Sequence, residues 1–174
     1  MTKQIKIGSV MIGGGNKIAV QSMTNTKTSD IVATVNQIEK LQKAGCDIIR
    51  VAVADKNDAI AIKEIKKQIK IPLVADIHFD YKLAIIAIEN GADKIRINPG
   101  NIDSDEHLVQ VIECAKLHNV AIRVGVNGGS LNQDSFELYG NSSLSLADSA
   151  LRYIDFFEKH GFFNIVLSVK SSSV

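Results

Sequence analysis

The stretch Lys94–Asn101, with the sequence KIRINPGN, constrains most strongly how this chain folds. With the two-residue period of a β-strand, Lys94, Arg96 and Asn98 share one face, the two isoleucines share the other, and Pro-Gly ends the strand. A parallel sheet packs helices against its outer face, so the isoleucines belong there and the arginine lies on the inner face. A permanently charged guanidinium with five donors needs an anion or carbonyl oxygens in front of it.

The same pattern recurs in a chain whose hydrophobic periodicity predicts six strands alternating with five helices through short links. The predicted strands are Ile18–Met23, Asp47–Val53, Leu73–His78, Lys94–Asn98, Ala121–Asn127 and Asn164–Lys170. The first predicted helix is capped by Asp30 and stopped by Gly45. The other four are Asn57–Ile69, Tyr81–Asn90, Ser104–His118 and Ser145–His160. Regular alternation of this kind indicates an all-parallel α/β sheet.

Three connecting segments carry their own predictions. Gly8-Ser9 between two short apolar runs in residues 4–18 predicts a small β-hairpin ahead of the main sheet. The GGGN run at 13–16 is interpreted as a turn, because neither a GK[ST] motif nor a helix follows it as in a phosphate loop. The loop 128–143 is long for a βα connection and is therefore a candidate binding or lid segment.

Polar residues on the inner face decide between a barrel and an open sheet. Open parallel sheets have strands that are nearly continuous in apolar residues, whereas five strands here carry a polar residue toward the carboxyl end of one face. A (β/α)₈ barrel places its active site at the carboxyl ends of its strands, and it typically needs ~250 residues. At 174 residues, the chain is predicted to form an incomplete TIM (β/α)₈-type barrel with about six of the eight strand-helix units, part of a longer barrel or closed by a partner.

Composition excludes several function classes. A formal charge of +1 does not support whole-chain steering toward nucleic acid, so anion binding must come from local placement of charge. No apolar run is long enough for a signal peptide or a membrane span, which predicts a cytoplasmic protein. Cys46 and Cys114 fit no metal-binding spacing and are interpreted as reduced thiols.

Four cations are predicted to meet at the mouth of the barrel: Arg50, Arg96, Arg123 and Lys170. Any one of them alone, such as Arg50, is equally well explained as an interior arginine paired with a carboxylate. Together they face only one predicted acid, Asp76, and this excess of positive charge favours a phosphate-bearing ligand. Asn98 and Asn127 add hydrogen-bond donors there without adding charge.

Asp76 and His78 lie two residues apart on one predicted strand and are the candidate catalytic residues. They resemble half of a metal site, but no further His, Cys or Asp completes it, so no metal is predicted in this chain. General acid-base chemistry or the orientation of substrate hydroxyls is the favoured role for the pair.

Four motifs resemble a known family. AVQSMTNT (Ala19–Thr26), VADIHFD (Val74–Asp80), RINPGN (Arg96–Asn101) and VNGGS (Val126–Ser130) resemble, in this order, the amino-terminal half of the 4-hydroxy-3-methylbut-2-enyl diphosphate synthases. These iron-sulfur enzymes of the non-mevalonate isoprenoid pathway reductively open and dehydrate 2-C-methyl-D-erythritol 2,4-cyclodiphosphate with electrons from ferredoxin or flavodoxin.

The resemblance implies roles for individual residues and for groups outside the chain. It implies a substrate-binding set consisting of Arg50, Asp76, His78, Arg96, Asn98, Arg123, Asn127 and Lys170. In the family a 4Fe-4S cluster sits on a later domain, held by three cysteines and a glutamate, and that domain caps the partner's barrel in a homodimer. Neither cysteine of this chain lies in a matching motif, so we expect no bound cluster and no catalysis by the chain alone.

Two alternatives remain open from the sequence. One is another phosphate- or pterin-binding barrel enzyme, similar to dihydropteroate synthase. The other is a non-catalytic interaction module, which an exposed apolar flank of the incomplete barrel would favour.

Overall fold

A computed structural model describes residues 2–129 and 131–171, and its main element is a parallel sheet whose strands follow one another in chain order. The six strands of this sheet are β3 (Gln21–Met23), β4 (Ile48–Ala52), β5 (Leu73–Asp76), β6 (Lys94–Ile97), β7 (Ala121–Asn127) and β8 (Ile165–Lys170). A separate antiparallel hairpin consists of β1 (Ile5–Ile7) and β2 (Val10–Ile12). The helices are α1 (Ile31–Lys43), α2 (Lys56–Lys66), α3 (Tyr81–Glu89), α4 (Asp105–His118), α5 (Gln133–Tyr139) and α6 (Ser143–Lys159), with a 3₁₀ turn at Pro99–Asn101.

Each α-helix begins where a short polar side chain accepts a backbone N–H of the first turn, which is the local reason for its start. The predicted cap Asp30 accepts the N–H of Ala33 at 3.1 Å, and Ser104 accepts the N–H of His107 at 3.3 Å. The other caps are Asp55, Asp80, Asn132 and Ser142. None of the described helices is both long and apolar enough to cross a membrane.

The sheet is curled, with the helices on its outer face. Outward residues such as Ile49 and Ile95 are fully buried in the main hydrophobic core between sheet and helices. On the inner face, Lys94 Nζ of β6 lies 3.3 Å from Gln21 Oε1 of β3, although two strands separate them in the sheet. Neighbouring strands are about 4.8 Å apart, so a flat sheet would hold these backbones ~14 Å apart, and the contact reflects curvature into a partial barrel.

The hairpin closes the barrel interior at the amino-terminal ends of the strands. Ile5 and Ile7 of β1 pack with Ile48, Val74 and Ala121, which are the first inward-facing residues of three strands. This small apolar cluster, the plug, is separate from the main core. The plug makes much of the amino-terminal part of the inner face apolar, with Gln21 and Lys94 as polar residues at its level.

Gly8, in the two-residue turn of the hairpin, is required for two reasons. Its φ is +54°, a left-handed conformation that favours glycine, and an added Cβ would lie 2.8 Å from Asp93 Oδ1. Asp93 itself is fixed, because it accepts the Leu73 N–H at 2.7 Å and contacts Lys66 Nζ at 2.5 Å. The turn is therefore held against the base of the sheet.

The predicted incomplete barrel and its hairpin are confirmed, with three differences in detail. The first strand of the sheet begins only at Gln21 rather than at Ile18. The third ends at Asp76, so His78 follows the strand instead of belonging to it. The segment 128–143 is not a plain loop, since it contains α5. The 13–16 run forms a turn as predicted, with Asn16 N–H donating to Gly13 O at 3.0 Å.

Candidate functional site

The strand register brings the predicted inner-face residues to neighbouring positions at one end of the sheet. Asp76 of β5 pairs with Arg96 of β6, and Arg96 pairs with Arg123 of β7. Arg50 lies one strand before Asp76, where its Nε is 3.1 Å from Met23 Sδ. Each of the three arginines lies two residues after the first inward-facing residue of its strand, and we call the inner face from this level to the carboxyl ends of the strands the mouth.

Asp76 is the acid around which the mouth is arranged. Asp76 is only 4% exposed, and its carboxylate lies 3.2 Å from Arg96 Nη1 and 3.7 Å from Arg50 Nε. His78 Nε2 is 3.6 Å from the same carboxylate. One negative charge thus partners two arginines and a histidine, so the acid offsets only part of the positive charge around it.

Arg123 has no such acid partner among residues 2–129 and 131–171. Its Nη2 donates to Ser168 Oγ of β8 at 2.8 Å, and no carboxylate of the described residues lies within 4.0 Å of its guanidinium. Burial lowers the pKa of Arg123, as do the nearby charges of Arg50 and Arg96, while Asp76 acts in the opposite direction. The guanidinium remains charged, and the mouth carries an excess of positive charge.

Gly125 of β7 makes space for the side chain of Arg96. A Cβ added at this glycine would lie 3.3 Å from both Nε and Nη2 of Arg96, which is tighter than an ordinary contact. Gly125 lies two residues after Arg123 and therefore on the same inner face, and the cross-strand geometry shows why a side chain is absent there.

The two predicted asparagines shape the turns that follow their strands. The Oδ1 of Asn98, which is buried, accepts the Gly100 N–H at 3.2 Å and caps the 3₁₀ turn. Asn127 Oδ1 accepts the Gly129 N–H at 2.9 Å. Ser130, the last residue of the fourth motif, lies outside the described residues. Both asparagines lie at the rim of the mouth, with their Oδ1 atoms engaged in backbone turns.

His78 and Lys170 occupy the more open part of the mouth. The His78 side chain is 54% exposed and reaches back to Asp76 from just beyond β5. Lys170 is exposed at the end of β8, in register with Asn127. The structure therefore brings the predicted site residues to the inner face within the strands, as for Arg50 and Arg123, or to the carboxyl ends of the strands and just beyond them, with Lys170 at the edge of the set.

Lys94 is a member of the site that was not predicted, although its alternation with Arg96 puts it on the same face. The residue is 3% exposed, and its ammonium contacts Gln21 below the arginines. Burial, followed by the charges of Arg123 and Arg50, lowers the pKa of Lys94 from 10.5 to about 8. The two-residue period of the strand could have indicated that Lys94 faces the barrel interior, but it carries no information about how deep in the barrel this lysine lies.

The described residues offer no ligand set for a metal ion or an iron-sulfur cluster. In residues 2–129 and 131–171, no three His, Cys, Asp or Glu side chains are grouped closely enough to hold a metal. The thiol of Cys46 is buried and donates to the Ile48 carbonyl at 3.0 Å, and Cys114 lies on α4, away from the mouth. Thiolate ligation of a cluster does not fit this donor set.

A curled parallel sheet with helices outside and cations at the carboxyl ends of its strands defines a TIM-barrel-type domain. Solved dihydropteroate synthases share this fold. The enzyme of Xanthomonas albilineans superposes with a TM-score of 0.69 at 14% identity, over 95% of this chain and 64% of that one. Plasmodium falciparum HPPK-DHPS superposes with a TM-score of 0.73 at 12% identity, over 96% of this chain and 32% of that one. At this identity the likeness shows the fold alone.

The chain belongs to the GcpE TIM-barrel domain family, whose model matches residues 2–174. Similar curated proteins are named 4-hydroxy-3-methylbut-2-en-1-yl diphosphate synthase (flavodoxin). Those of Caldanaerobacter subterraneus, Thermotoga maritima and Fusobacterium nucleatum are 57%, 55% and 51% identical over 99–100% of this chain. The chain spans about half the length of these relatives, 49% in each case. The resemblance drawn from the four motifs is confirmed.

Proposed function

We propose that this chain is the substrate-binding barrel of a 4-hydroxy-3-methylbut-2-enyl diphosphate synthase and that its mouth binds 2-C-methyl-D-erythritol 2,4-cyclodiphosphate. The names of relatives at 50–57% identity support the reaction. The cationic mouth supports a ligand with two phosphate groups. Under this proposal the protein acts in isoprenoid biosynthesis in the cytoplasm.

The single observation that carries the proposal is the imbalance of charge at the mouth. Arg50 and Arg96 share the one carboxylate of Asp76, and Arg123 has a hydroxyl as its polar partner. A purely structural set of interior arginines would be expected to have its charges paired, since unpaired buried charges are costly. A bound anion supplies the missing negative charge.

Each side chain has a role that follows from its position. The guanidinium groups of Arg50, Arg96 and Arg123 bind phosphate oxygens through charge-assisted hydrogen bonds, and Lys170 adds a flexible charge from the edge. Asp76 holds two of the arginines in place. Because His78 is half exposed and touches Asp76, the pair is positioned to orient a substrate hydroxyl or to pass a proton to it. Asn98 and Asn127 shape the rim.

The reductive part of the reaction requires groups that the described residues do not supply. The curated relatives carry flavodoxin in their names, and we propose flavodoxin, or ferredoxin, as the electron donor of the whole enzyme. The 4Fe-4S cluster would be held by residues outside this chain, on a further domain of a homodimer. In an anaerobic preparation of this chain with iron and sulfide, we expect no stable visible absorption band. A band accompanied by reductase turnover would contradict this assignment.

Titration calorimetry with the cyclic diphosphate tests the binding proposal. Replacing Arg123 by Gln removes charge-assisted hydrogen bonds worth about 1.5–3 kcal/mol, so the affinity should fall roughly 10- to 150-fold. Arg152→Gln is the matched control, because this arginine pairs with Asp148 and Asp134 on the helical surface. Equal losses in both variants, or no binding by the parent chain, would refute the proposal.

A pterin diphosphate distinguishes the alternative drawn from fold likeness. We expect the cyclic diphosphate to raise the melting temperature of the chain and the pterin compound to have a smaller effect at equal concentration. A larger shift with the pterin diphosphate would favour dihydropteroate-synthase-like chemistry.

A further inference from the structure

Lys94 lies at the level of the plug, one inward-facing position before Arg96 on the same strand. In the strand register it lies between Val74 and Ala121, both members of the plug, and its ammonium crosses the barrel interior to Gln21 Oε1. Arg96 follows two residues later on the same strand and face. Lys94 and Gln21 therefore form the floor of the mouth, beneath the guanidinium groups.

The floor is unusual because the charged ammonium of Lys94 contacts the neutral amide oxygen of Gln21. An ammonium has three donors, and within the described part of the chain no carboxylate lies within 4.0 Å of Lys94 Nζ. The elements around it contribute three further cations, one acid, one histidine and several neutral groups. These are Arg50 of β4, Arg96 of β6, Arg123 of β7, Asp76 of β5, His78 beyond β5, Gln21 of β3, Ser168 of β8, and Ile5 and Ile7 of β1.

This arrangement makes the charge of Lys94 responsive to its surroundings. Burial and the nearby guanidinium groups bring its pKa to about 8, so the ammonium is partly deprotonated at mildly alkaline pH. A doubly charged anion placed among the arginines stabilises the ammonium form of Lys94, because its attraction for the ammonium opposes the repulsion from the guanidinium groups.

We propose that Lys94 is a positioning residue at the floor of the phosphate-binding mouth and takes up a proton when a dianionic phosphate ligand binds. The inference rests on the proposed function, since it needs an anion in the mouth. By linkage, affinity for such a ligand decreases as the pH rises through the titration of the free lysine. The charged floor then supports a bound phosphate from below, while the arginines bind it from the sides.

Calorimetry in buffers of different ionisation enthalpy measures the proton uptake directly. The cyclic diphosphate is a suitable probe, because each phosphorus carries one strongly acidic hydroxyl and the ligand itself does not titrate near neutral pH. At about pH 8, where the free lysine is half protonated, the parent chain should take up as much as roughly half a proton per ligand bound. Lys94→Met and Lys94→Arg should both abolish the uptake, and Arg152→Gln should leave it unchanged.

The outcomes separate this inference from the proposed function. Binding by the parent chain with equal proton uptake in Lys94→Arg overturns the role of Lys94 and leaves the ligand assignment intact. If proton uptake disappears in His78→Asn and persists in Lys94→Arg, the histidine takes up the proton, and the proposed role of Lys94 is overturned. No binding at any pH refutes the proposed function itself, and the inference with it. Far-UV circular dichroism confirms folding, and Lys94→Arg keeps the test decisive if Lys94→Met does not fold.

Discussion

Replacing Lys94 by Met should change the stability of the unliganded chain in a way that reverses sign with pH. The pKa falls from 10.5 in the unfolded chain to about 8 in the folded one, and each pKa unit corresponds to about 1.4 kcal/mol. The folded protein therefore bears a cost of ~3 kcal/mol below pH 8 for keeping this buried ammonium charged. Because the lysine is 3% exposed, solvent screens little of this cost.

The sign follows from proton binding in the two states. Between pH 8 and 10.5 the unfolded chain keeps a proton that the folded chain has released, so parent stability contains a contribution that rises with pH over this interval. Methionine removes that dependence. It also leaves Gln21 Oε1 without its donor at every pH, at a cost of about 1 kcal/mol. The variant should be more stable than the parent by ~2 kcal/mol near pH 7 and less stable by ~1 kcal/mol above about pH 11, where the lysine is neutral in both states.

Urea denaturation at several pH values, followed by circular dichroism, measures the two free energies of unfolding. Other lysines and tyrosines titrate at high pH, but their effects cancel when variants are compared. Lys63→Met, on the exposed side of α2, is the control and should show a difference from the parent that does not change with pH. A constant difference between Lys94→Met and the parent across the range would show that the ammonium is not destabilised by its site.

Three further substitutions test the geometry of the fold and of the mouth. Gly125→Ala places a methyl group 3.3 Å from the Arg96 guanidinium. In calorimetry it should weaken binding of the cyclic diphosphate at least several-fold. In urea denaturation it should lower the free energy of unfolding by only about 1 kcal/mol. Asp76→Asn removes the shared counterion of two arginines and should destabilise the chain by about 3 kcal/mol; a change below 0.5 kcal/mol in urea denaturation would contradict the assigned contacts. Gly8→Ala combines a positive φ of +54° with a contact of 2.8 Å to Asp93 Oδ1. The melting temperature should fall by an amount that corresponds to a loss of ~2 kcal/mol or more in stability. An unchanged melting temperature would show that the hairpin is not held against the sheet.

The inner face of the sheet was predictable from sequence because alternation is a local property. Arg50, Arg96 and Arg123 each sit at a position fixed by the apolar residues on either side, and these residues must face the helices. Their common level then follows from the start of each strand, because each arginine lies two residues after the first inward-facing residue. The hairpin was predictable for the same reason, since Gly8-Ser9 and its flanking isoleucines form a local signal.

Partnerships across strands were not predictable, because they depend on register and depth. That Arg50 and Arg96 share Asp76 follows from pairing between β4, β5 and β6, about which a single strand carries no information. The helix α5 was missed because it has only seven residues and is held by contacts with α6, such as the hydrogen bond from Ser135 Oγ to Asp148 Oδ2 at 2.8 Å. Short helices of this kind depend on tertiary contacts rather than on their own propensity.

The charges that weaken the unliganded mouth are also the groups that would bind a phosphate ligand. Arg123 and Lys94 lie in the barrel interior with a hydroxyl and an amide as their polar partners, so part of their solvation is lost without a compensating charge. A dianion restores that compensation in the folded state only, and ligand binding then stabilises the fold in proportion to its affinity. Removing either cation should therefore reduce the stabilisation by ligand, whereas the stability of the empty chain should fall less or, for Lys94→Met near pH 7, should rise. An interior arginine or lysine retained for structure alone would show the reverse order.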